Sequence, residues 1–329
     1  MIITRTPFRI SFFGGGTDHP SWYKEHGGAV ISTSIDKYCH VTCRHLPPFF
    51  EHKSRIAWSK IELVKSREEI DHPVVRAALE YHNIDDGVEI HTFADLPARS
   101  GIGSSSSFTV GVLHALSIFK GKAIDKKQLA LRAIHLEQDI LKENVGSQDQ
   151  AAAAFGGFNK ITFGGSEEIR VEPIFLEQEK LNNLKNHLLL FFTGLSRKSS
   201  EVAGEQIKNI PNIGKELTAM RKMVDDASHV LGKGDIKDFG KLLDESWKIK
   251  RGLSSKVTNP QVDGIYEAAK EAGAIGGKVL GAGGGGFMLF FVPPEHHEAV
   301  KAKLNNLPLV PFDFEDSGSH IIHHRKEDA

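Results

Sequence analysis

The chain has 329 residues, of which 40% are hydrophobic and 25% are charged. This composition is ordinary for a folded protein, and the length suits two domains. Its 41 basic and 42 acidic residues leave a formal net charge of −1, without the basic excess typical of nucleic-acid-binding proteins, so we expect no nucleic-acid partner. An anionic ligand would have to be held by local groups rather than by the overall field of the protein.

The first third of the chain is predicted to consist mainly of β-strands. Ile10–Phe13, Val30–Ile35 and Tyr38–Arg44 are rich in β-branched and aromatic residues. Val88–Phe93 alternates apolar and polar residues, as a half-buried strand does. His72–His82 is the exception, because its apolar residues recur at helical spacing.

Helices dominate the middle of the chain. Apolar residues at helical spacing predict helices over Ser105–Phe119, Lys126–Lys142 and Ala151–Phe155. The polar segment Glu177–Asn186 is the predicted hinge between two domains. The second half then mixes both types: strands at His187–Thr193, Phe287–Val292 and Ser319–His323, and helices at Gly214–Leu231, Ile236–Lys250, Val262–Glu271 and Pro294–Leu304. Helices packed on a few strands indicate an α+β half.

The sequence predicts a cytoplasmic protein. Two cysteines, Cys39 and Cys43, exclude a disulfide framework and fit a reducing compartment. They could form a metal or redox pair, but thiols in a predicted strand are ordinary core residues. Met1–Arg9 lacks the apolar stretch of a signal peptide, and Phe287–Val292 is too short to cross a bilayer. We therefore expect no membrane partner.

Three glycine-rich segments are candidate binding loops, and the first follows the strand at Ile10–Phe13. Gly14–Gly16 would let the backbone bend sharply and approach a ligand closely. Asp18 then offers a carboxylate for hydroxyl groups. A plain turn capped by Asp18 is an equally open interpretation at this stage.

The second segment, Leu96–Ser107, leads into the predicted helix at Ser105–Phe119 and predicts a phosphate site. The first N–H groups of a helix have no partner within it, and the helix dipole adds partial positive charge there. Glycines allow close approach, and serine hydroxyl groups can donate to oxygen or bind Mg²⁺. One serine would suffice for an ordinary helix cap, so the pattern favours a ligand for Gly101, Gly103, Ser104, Ser105, Ser106 and Ser107.

The third segment, Lys278–Gly286, has five glycines in its last six positions. Such a loop is costly in chain entropy and indicates close contact, with a flexible connector as the alternative. A Rossmann fingerprint needs strand, G-x-G-x-x-G and helix, and a Walker loop needs G-x-x-x-x-G-K-[ST]. Neither pattern is present, which argues against a nicotinamide dehydrogenase and a P-loop ATPase.

Together, the three segments resemble the kinase superfamily named for galactokinase, homoserine kinase, mevalonate kinase and phosphomevalonate kinase (GHMP kinases). Pro97–Ser105 is similar to the family motif P-x-G-x-G-L-G-S-S, with Arg99 in place of a glycine, and Lys278–Gly286 matches the loop K-x-x-G-A-G-G-G-G. The resemblance covers nearly the whole chain. It implies a two-domain α+β fold, with an N-terminal α/β nucleotide-binding domain at 1–183 and a C-terminal ferredoxin-like α+β domain at 184–329.

Within the superfamily, the chain is most similar to the D-glycero-D-manno-heptose 7-phosphate kinases. The similar motifs are Thr6–Arg9, Gly14–Asp18, Gly146–Gln150, Phe155–Phe158 and Ser246–Lys248. Galactokinases tend to have a Glu-His pair at the positions of Gly15 and Gly16, which argues against galactose. The implied reaction is ATP- and Mg²⁺-dependent phosphorylation of the anomeric hydroxyl of a small-molecule sugar phosphate. A kinase for another sugar or small alcohol, and a non-catalytic sugar and ATP sensor, remain alternatives; no feature indicates an oligomeric state.

Carried over position by position, the resemblance implies roles for the site residues. Asp149 would be the base toward the acceptor hydroxyl, Arg9 would stabilise charge beside it, and Ser105 and Glu137 would hold Mg²⁺. The ATP phosphates would lie against the glycines and serines of the second segment and against Gly281, Gly283, Gly284 and Gly285. The acceptor would contact Gly16, Thr17 and Asp18. A phosphorylated acceptor also needs an anion site, for which Arg197 and Lys198 after the strand ending near Thr193 are candidates, as are Lys248, Lys250 and Arg251.

Each role has an interpretation without chemistry. Asp149 could cap the helix near Ala151, Glu137 could be a solvated helix residue, and Arg9 could lie on a strand surface. A charge run such as Lys248–Arg251 is usually a solvated helix face.

Overall fold

A computed structural model of the chain describes residues 1–166, 168–195 and 199–325, with the backbone alone at 199–201. Its strands are β1 (Ile2–Phe13), β2 (Gly28–His45), β3 (Ser54–Ala57), β4 (Ile61–Val64), β5 (Val88–Ala94), β6 (Phe158–Phe163), β7 (Ile169–Pro173), β8 (Leu188–Phe192), β9 (Gly276–Val279), β10 (Phe287–Phe291), β11 (Phe314–Glu315) and β12 (His320–His324). Its α-helices are α1 (Pro20–His26), α2 (Pro73–Tyr81), α3 (Ser104–Phe119), α4 (Lys126–Ile134), α5 (Gln148–Phe155), α6 (Gln178–Asn186), α7 (Ser199–Asn209), α8 (Gly214–Lys233), α9 (Ile236–Arg251), α10 (Pro260–Glu271) and α11 (His297–Lys303).

A large sheet forms the first part of the molecule. Its strands run in the order β12-β1-β2-β5-β3-β4, and β6 pairs with β2 and β7. One long strand, β2, replaces the two strands predicted at Val30–Ile35 and Tyr38–Arg44. Its first half pairs with β6 and its second half with β5, both antiparallel, so a single strand spans the whole sheet.

Helix α3 packs directly on β1 and β2, and Gly111 in the middle of the helix lies against both strands. A Cβ atom on Gly111 would lie 3.0 Å from Thr6 Oγ1 and 3.3 Å from Val41 Cγ2. The Gly111 carbonyl accepts a hydrogen bond of 3.1 Å from Thr4 Oγ1. The absence of a side chain at this position therefore lets the helix approach the sheet closely.

A second, three-stranded sheet has the order β8-β10-β9. The five residues of β10 are buried, and Phe287, Phe290 and Phe291 have no exposed surface. Each fully buried phenylalanine contributes roughly 1.5–3 kcal/mol of hydrophobic stabilisation. Helix α9 packs on this sheet through Gly240, where a Cβ atom would lie 2.5 Å from Phe291 Cδ1. The predicted two-domain α+β fold is confirmed.

The end of the described chain returns to the large sheet. β12 pairs with β1, and β11 pairs with β2. The sequence-based division placed all of 184–329 in the second domain, yet these two strands complete the first sheet. Among the described residues, no helix has the length and apolar character needed to cross a membrane.

Two segments have a local structure that the sequence did not predict. Glu177–Asn186, the predicted hinge between the domains, contains α6, whose Leu184 is buried in the core. The predicted helix over Lys126–Lys142 ends early, and its second half is a π-helical turn at His135–Ile140. The wider turn buries Glu137, and such turns occur frequently at functional sites.

Candidate active site

The site is built around the first turn of α3. The loop before it has three left-handed residues, Arg99, Gly101 and Gly103, with φ of 59°, 87° and 75°. The first helical hydrogen bond runs from Ser107 N to Gly103 O at 2.9 Å. The amides of residues 104–106 precede that bond, so they are available to an anion at the positive end of the helix.

Arg9 and Asp149 meet beside this turn. Arg9 Nε donates to Asp149 Oδ1 at 2.8 Å, and Nη2 donates to Oδ2 at 3.0 Å. The third donor, Nη1, reaches Gly101 O at 2.6 Å. A Cβ atom on Gly103 would lie 3.5 Å from Asp149 Oδ2 and 3.3 Å from Arg9 Cγ. The candidate base, the candidate cation and the helix N-terminus therefore share one location.

Two of the glycine-rich segments pack against each other through their backbones. A Cβ atom on Gly101 would lie 2.4 Å from Leu280 O, and one on Gly281 would lie 2.7 Å from Gly101 Cα. Phe287 N donates to Ser100 O at 3.0 Å. The loop after β9 therefore touches the loop before α3 along a seam that has no room for side chains.

Glu137 is buried behind the first turn of α3, next to Ser106. Ser106 Oγ donates to Glu137 Oε2 at 2.9 Å, and Gln150 Nε2 donates to the same oxygen. The other oxygen, Oε1, has no hydrogen-bond partner among the described residues. Burial raises the pKa of Glu137 to about 7, neighbouring side-chain donors that include Gln150 and Ser106 oppose the shift, and the charge of Asp149 adds to it. A buried, unpartnered carboxylate oxygen is a ready ligand for a hard cation.

Asp18 lies in the turn after β1, close to the residues that precede Asp149. Its Oδ1 accepts from Gly16 N at 2.9 Å, its carbonyl accepts from Ser147 N at 2.9 Å, and its side chain is only 2% exposed. A Cβ atom on Gly146 would lie 1.8 Å from Asp18 Oδ2. Glycine at 146 therefore leaves room for the carboxylate.

Two buried lysines lie on the other side of the seam. Lys250 Nζ donates to Val279 O at 3.3 Å and to Gly281 O. Lys278 Nζ donates to Phe12 O at 2.7 Å, which joins the small sheet to β1. Burial lowers the pKa of Lys250 to about 8 and the pKa of Lys278 well below its ordinary value, and the positive charge of Arg9 adds to both shifts.

Several of the predicted site residues use their polar groups elsewhere. The Ser107 hydroxyl donates to Pro7 O at 2.8 Å, and the Thr17 hydroxyl donates to Gly14 O at 2.8 Å. Gly284 N donates to Val257 O at 2.7 Å, and a Cβ atom on Gly285 would lie 2.5 Å from Leu195 Cβ. These groups shape their loops. Gly283 also packs on Val257, where its Cβ would lie 2.7 Å from the carbonyl oxygen.

Ser104 and Ser105 occupy the open end of α3. Ser104 Oγ accepts from Arg99 N at 3.2 Å, while Ser105 is exposed. The serine that contacts Glu137 is Ser106, whereas Ser105 was the serine predicted to bind Mg²⁺ together with Glu137. Nothing in a run of four serines distinguishes one from the next, because the rotation of the helix decides which hydroxyl faces inward. Arg197 and Lys198 lie outside the described residues.

The positions of Arg9, Glu137 and Asp149 do not support the interpretations that gave these residues no chemical role. Arg9 and Glu137 are each 3% exposed, and Asp149 lies inside the first turn of α5 rather than at its cap. In the charge run at the end of α9, Lys248 is solvated but Lys250 is 5% exposed. Helical spacing could have revealed this, since Leu243, Trp247 and Lys250 fall on one buried face.

A free helix N-terminus, a carboxylate beside it and a glycine loop from a second sheet supply the positioning and charge stabilisation that a small-molecule kinase needs. Residues 69–157 match the family model described as GHMP kinases N terminal domain, and residues 227–308 match GHMP kinases C terminal. The chain belongs to the GHMP kinases, a family that uses ATP as phosphate donor, and the resemblance drawn from the three glycine-rich segments is confirmed.

Several named sugar kinases are similar to this chain over most of its length. It is 30% identical over 300 residues to a D-glycero-alpha-D-manno-heptose 7-phosphate kinase of Campylobacter jejuni, covering 86% of both proteins. It is 24% identical to a galactokinase of Pyrococcus furiosus, again covering 86% of both. Among solved structures, a D-glycero-D-manno-heptose 1-phosphate kinase from Bacteriodes thetaiotaomicron matches with a TM-score of 0.81 and 25% identity, over 99% of this chain and 100% of that one.

Proposed function

We propose that the protein transfers the terminal phosphoryl group of ATP to the anomeric hydroxyl of a heptose 7-phosphate, giving the 1,7-bisphosphate. The contact of Arg9 with Asp149 beside the first turn of α3 carries the proposal. This pair supplies a base and a cation beside the helix N-terminus, where we place the terminal phosphate of ATP. The heptose 7-phosphate kinase with 30% identity supports the choice of acceptor.

In the proposed reaction, the Asp149 carboxylate accepts the proton of the acceptor hydroxyl. The acceptor oxygen forms a bond to the γ-phosphorus while the bond to the ADP oxygen breaks, and ADP leaves. Arg9 and the amides of residues 104–106 stabilise charge on the transferring group. Little covalent chemistry falls to the protein in such a transfer, so positioning and charge stabilisation account for most of the rate.

A magnesium ion fits the buried carboxylate behind α3. Glu137 Oε1 has no hydrogen-bond partner among the described residues, and the Ser106 hydroxyl donates a hydrogen bond to the other oxygen, Oε2. Oxygen ligands of this kind suit Mg²⁺. We therefore propose Glu137 and Ser106 as its protein ligands, in place of the sequence-based pair Glu137 and Ser105. When bound, Mg²⁺ would neutralise part of the charge on the ATP phosphates.

We assign the acceptor to the turn that contains Gly16 and Asp18. Asp18 would accept hydrogen bonds from sugar hydroxyls, whereas the Thr17 hydroxyl serves the turn itself. The phosphate of the acceptor needs a further cationic group. A cavity of about 590 Å³ lies at the ends of α7 and α9, with Lys208 and Arg251 in its wall. Arg251 stays a candidate for this role, together with Arg197 and Lys198.

An acceptor panel tests the proposal. ADP release is measured with heptose 7-phosphate, heptose 1-phosphate, L-fucose and galactose, and phosphorus NMR of the product identifies the phosphorylated hydroxyl. We expect heptose 7-phosphate to give the highest kcat/KM. A higher value for an unphosphorylated sugar would overturn the acceptor assignment, and ATP binding without turnover of any acceptor would favour the sensor.

The same assay tests the phosphate-binding residues. Arg197→Ala and Arg251→Ala are each compared on the phosphorylated sugar and on its unphosphorylated analogue. A residue that binds the phosphate loses affinity for the phosphorylated sugar only. Equal losses on both substrates would remove that residue from the role.

A further inference from the structure

Lys250 is a buried lysine whose hydrogen bonds, within the described part of the chain, go to backbone carbonyl groups. It lies in the last turn of α9 and is 5% exposed. Its ammonium group donates to Val279 O and Gly281 O, and no described carboxylate forms an ion pair with it. Taking an ammonium group out of water costs several kcal/mol, and a methionine would fill the space without that cost. The charge at this position therefore calls for a function.

A chain of direct contacts joins Lys250 to the transfer site. Its ammonium group contacts Gly281 O, and Gly281 packs on Gly101, where a Cβ atom would lie 2.7 Å from Gly101 Cα. Gly101 O accepts from Arg9 Nη1 at 2.6 Å, and Arg9 holds Asp149. Only the backbones of Gly281 and Gly101 thus lie between Lys250 and Arg9 in this chain of contacts.

The titratable groups around Lys250 come from β1, β9, α5 and the turn after β1. Arg9 on β1 is a buried cation, Lys278 on β9 is a buried lysine whose pKa is lowered well below its ordinary value, and Asp18 and Asp149 are the carboxylates whose charges act on Lys250. Burial lowers the pKa of Lys250 to about 8, Arg9 adds to the shift, and Asp18 and Asp149 oppose it. Asp149 is held by Arg9 and Asp18 by Gly16 N, so neither of these carboxylates pairs directly with the ammonium group of Lys250. An incoming phosphate would compensate this charge, and neither a neutral sugar nor a purely structural contact would do so.

We propose that Lys250 is a further catalytic residue, whose ammonium group contacts the transferring phosphoryl group and stabilises its charge as it passes to the acceptor. The inference rests on the proposed phosphotransfer. The proton of the acceptor still goes to Asp149, and the bond to ADP still breaks as the new bond forms. Lys250 gives up no proton and contributes a fixed charge on the side of the site that faces the small sheet.

The alternative is that Lys250 only holds the glycine loop by its two carbonyl contacts. That role needs only two hydrogen-bond donors, which a neutral amine also supplies, so activity would not follow the ionisation of Lys250. The two roles therefore differ in the pH dependence of kcat/KM, which follows the ionisation of free enzyme and free substrates. A charge-stabilising lysine produces a loss of activity above about pH 8, and an arginine at the same position, which stays charged, abolishes that loss.

The experiment compares the wild type with Lys250→Met, Lys250→Arg and Lys241→Met. Lys241 is the matched control, since it lies on the same helix with its side chain 66% exposed and its charge paired with Asp238. We expect Lys250→Met to lower kcat about 100-fold, Lys250→Arg to recover part of the rate, and Lys241→Met to behave as the wild type. We also expect kcat/KM of the wild type, but not of Lys250→Arg, to fall above about pH 8.

Each outcome has one meaning. A Lys250→Met enzyme with kcat within about twofold of the wild type overturns the inference, and so does an alkaline loss that Lys250→Arg shares with the wild type. If Lys250→Met does not fold, the pH profiles of the wild type and Lys250→Arg still decide. A wild type that phosphorylates no acceptor contradicts the proposed function and the inference with it.

Discussion

One arginine, Arg9, fixes both the Asp149 carboxylate and the loop before α3. Two of its nitrogens donate to the carboxylate oxygens at 2.8 and 3.0 Å, and the third donates to Gly101 O at 2.6 Å. The guanidinium group is planar, so these three bonds set the orientation of the carboxylate relative to the helix N-terminus. The Arg9 side chain is buried, whereas the Asp149 side chain is 27% exposed. A substrate can therefore reach the carboxylate.

Asp149→Asn tests the base directly. The amide oxygen can still accept one bond from Arg9, but the side chain no longer accepts a proton. We expect kcat for ADP release to fall by about two to four orders of magnitude, as for the loss of a general base. Binding of ATP, measured by titration calorimetry, should change little.

Asp139→Asn is the control for that variant, because Asp139 carries the same charge nearby on an exposed side chain that pairs with His135. It should turn over as the wild type does. Asp149→Asn with wild-type kcat would reject Asp149 as the base.

Glu137→Gln tests the buried carboxylate through stability. The pKa of Glu137 is about 7 in the folded protein against an ordinary value of 4.5, with burial as the main cause. Between these two pH values the folded state keeps a proton that the unfolded state loses, so stability decreases as pH rises through this window. Without divalent cations, the wild type should lose up to about 3 kcal/mol relative to Glu137→Gln between pH 4.5 and pH 7.

Urea unfolding at several pH values measures this difference. Glu143→Gln, an exposed neighbour, should follow the wild type at every pH. At pH 7, added Mg²⁺ should raise the Tm of the wild type more than that of Glu137→Gln. Parallel stability curves for the wild type and Glu137→Gln would contradict the assignment of a buried, protonated carboxylate.

Glycine spacing and helical periodicity are local, so the sequence predicted most of the helices and strands, whereas the two-domain fold and a site shared by the glycine-rich loops were implied by the resemblance to the GHMP kinases. Sequence patterns could not identify which serine faces Glu137. That choice depends on the rotation of α3, which Gly111 sets by its packing against Thr6 and Val41. The π-helical turn that buries Glu137 likewise interrupts a sequence whose apolar spacing predicted a continuous helix.

The burial of Lys250 depends on contacts that are distant in sequence. Its partners, Val279 O and Gly281 O, follow some thirty residues later. A basic run is typical of a solvated helix face, and Lys248 conforms to that expectation. Only its helical spacing from Leu243 and Trp247 indicated that Lys250 is buried. Helical spacing alone does not indicate which group a buried lysine binds.

Arg99 explains how this chain departs from the family motif without losing the loop. It replaces a glycine yet keeps the left-handed conformation, with φ of 59°, and its amide donates to Ser104 Oγ at 3.2 Å. Left-handed backbone costs a non-glycine residue about 1–2 kcal/mol. A glycine would remove that strain but lose about 0.4–1 kcal/mol through the entropy of the unfolded chain.

The free energy of unfolding of Arg99→Gly should therefore lie within about 1 kcal/mol of the wild-type value. That of Arg99→Val should be lower by at least about 1 kcal/mol, because a β-branched residue tolerates the left-handed conformation worst. Chemical denaturation measures both variants. A valine variant as stable as the glycine variant would show that position 99 does not need the left-handed conformation.

Gly101→Ala tests the seam between the two glycine-rich loops. A Cβ atom there would lie 2.4 Å from Leu280 O at a φ of 87°, so the substitution adds a backbone clash to conformational strain. Gly121→Ala is the matched control: its φ is 69°, and no described atom lies within 4 Å of its Cβ, so it suffers strain alone. We expect Gly121→Ala to lose about 1 kcal/mol of stability and to retain ATP affinity. Gly101→Ala should lose more stability and bind ATP at least about tenfold more weakly, because the clash separates the loop after β9 from the start of α3. If both variants bind ATP equally well, the seam has no part in holding the nucleotide, and the helix N-terminus must bind the phosphates without the second loop.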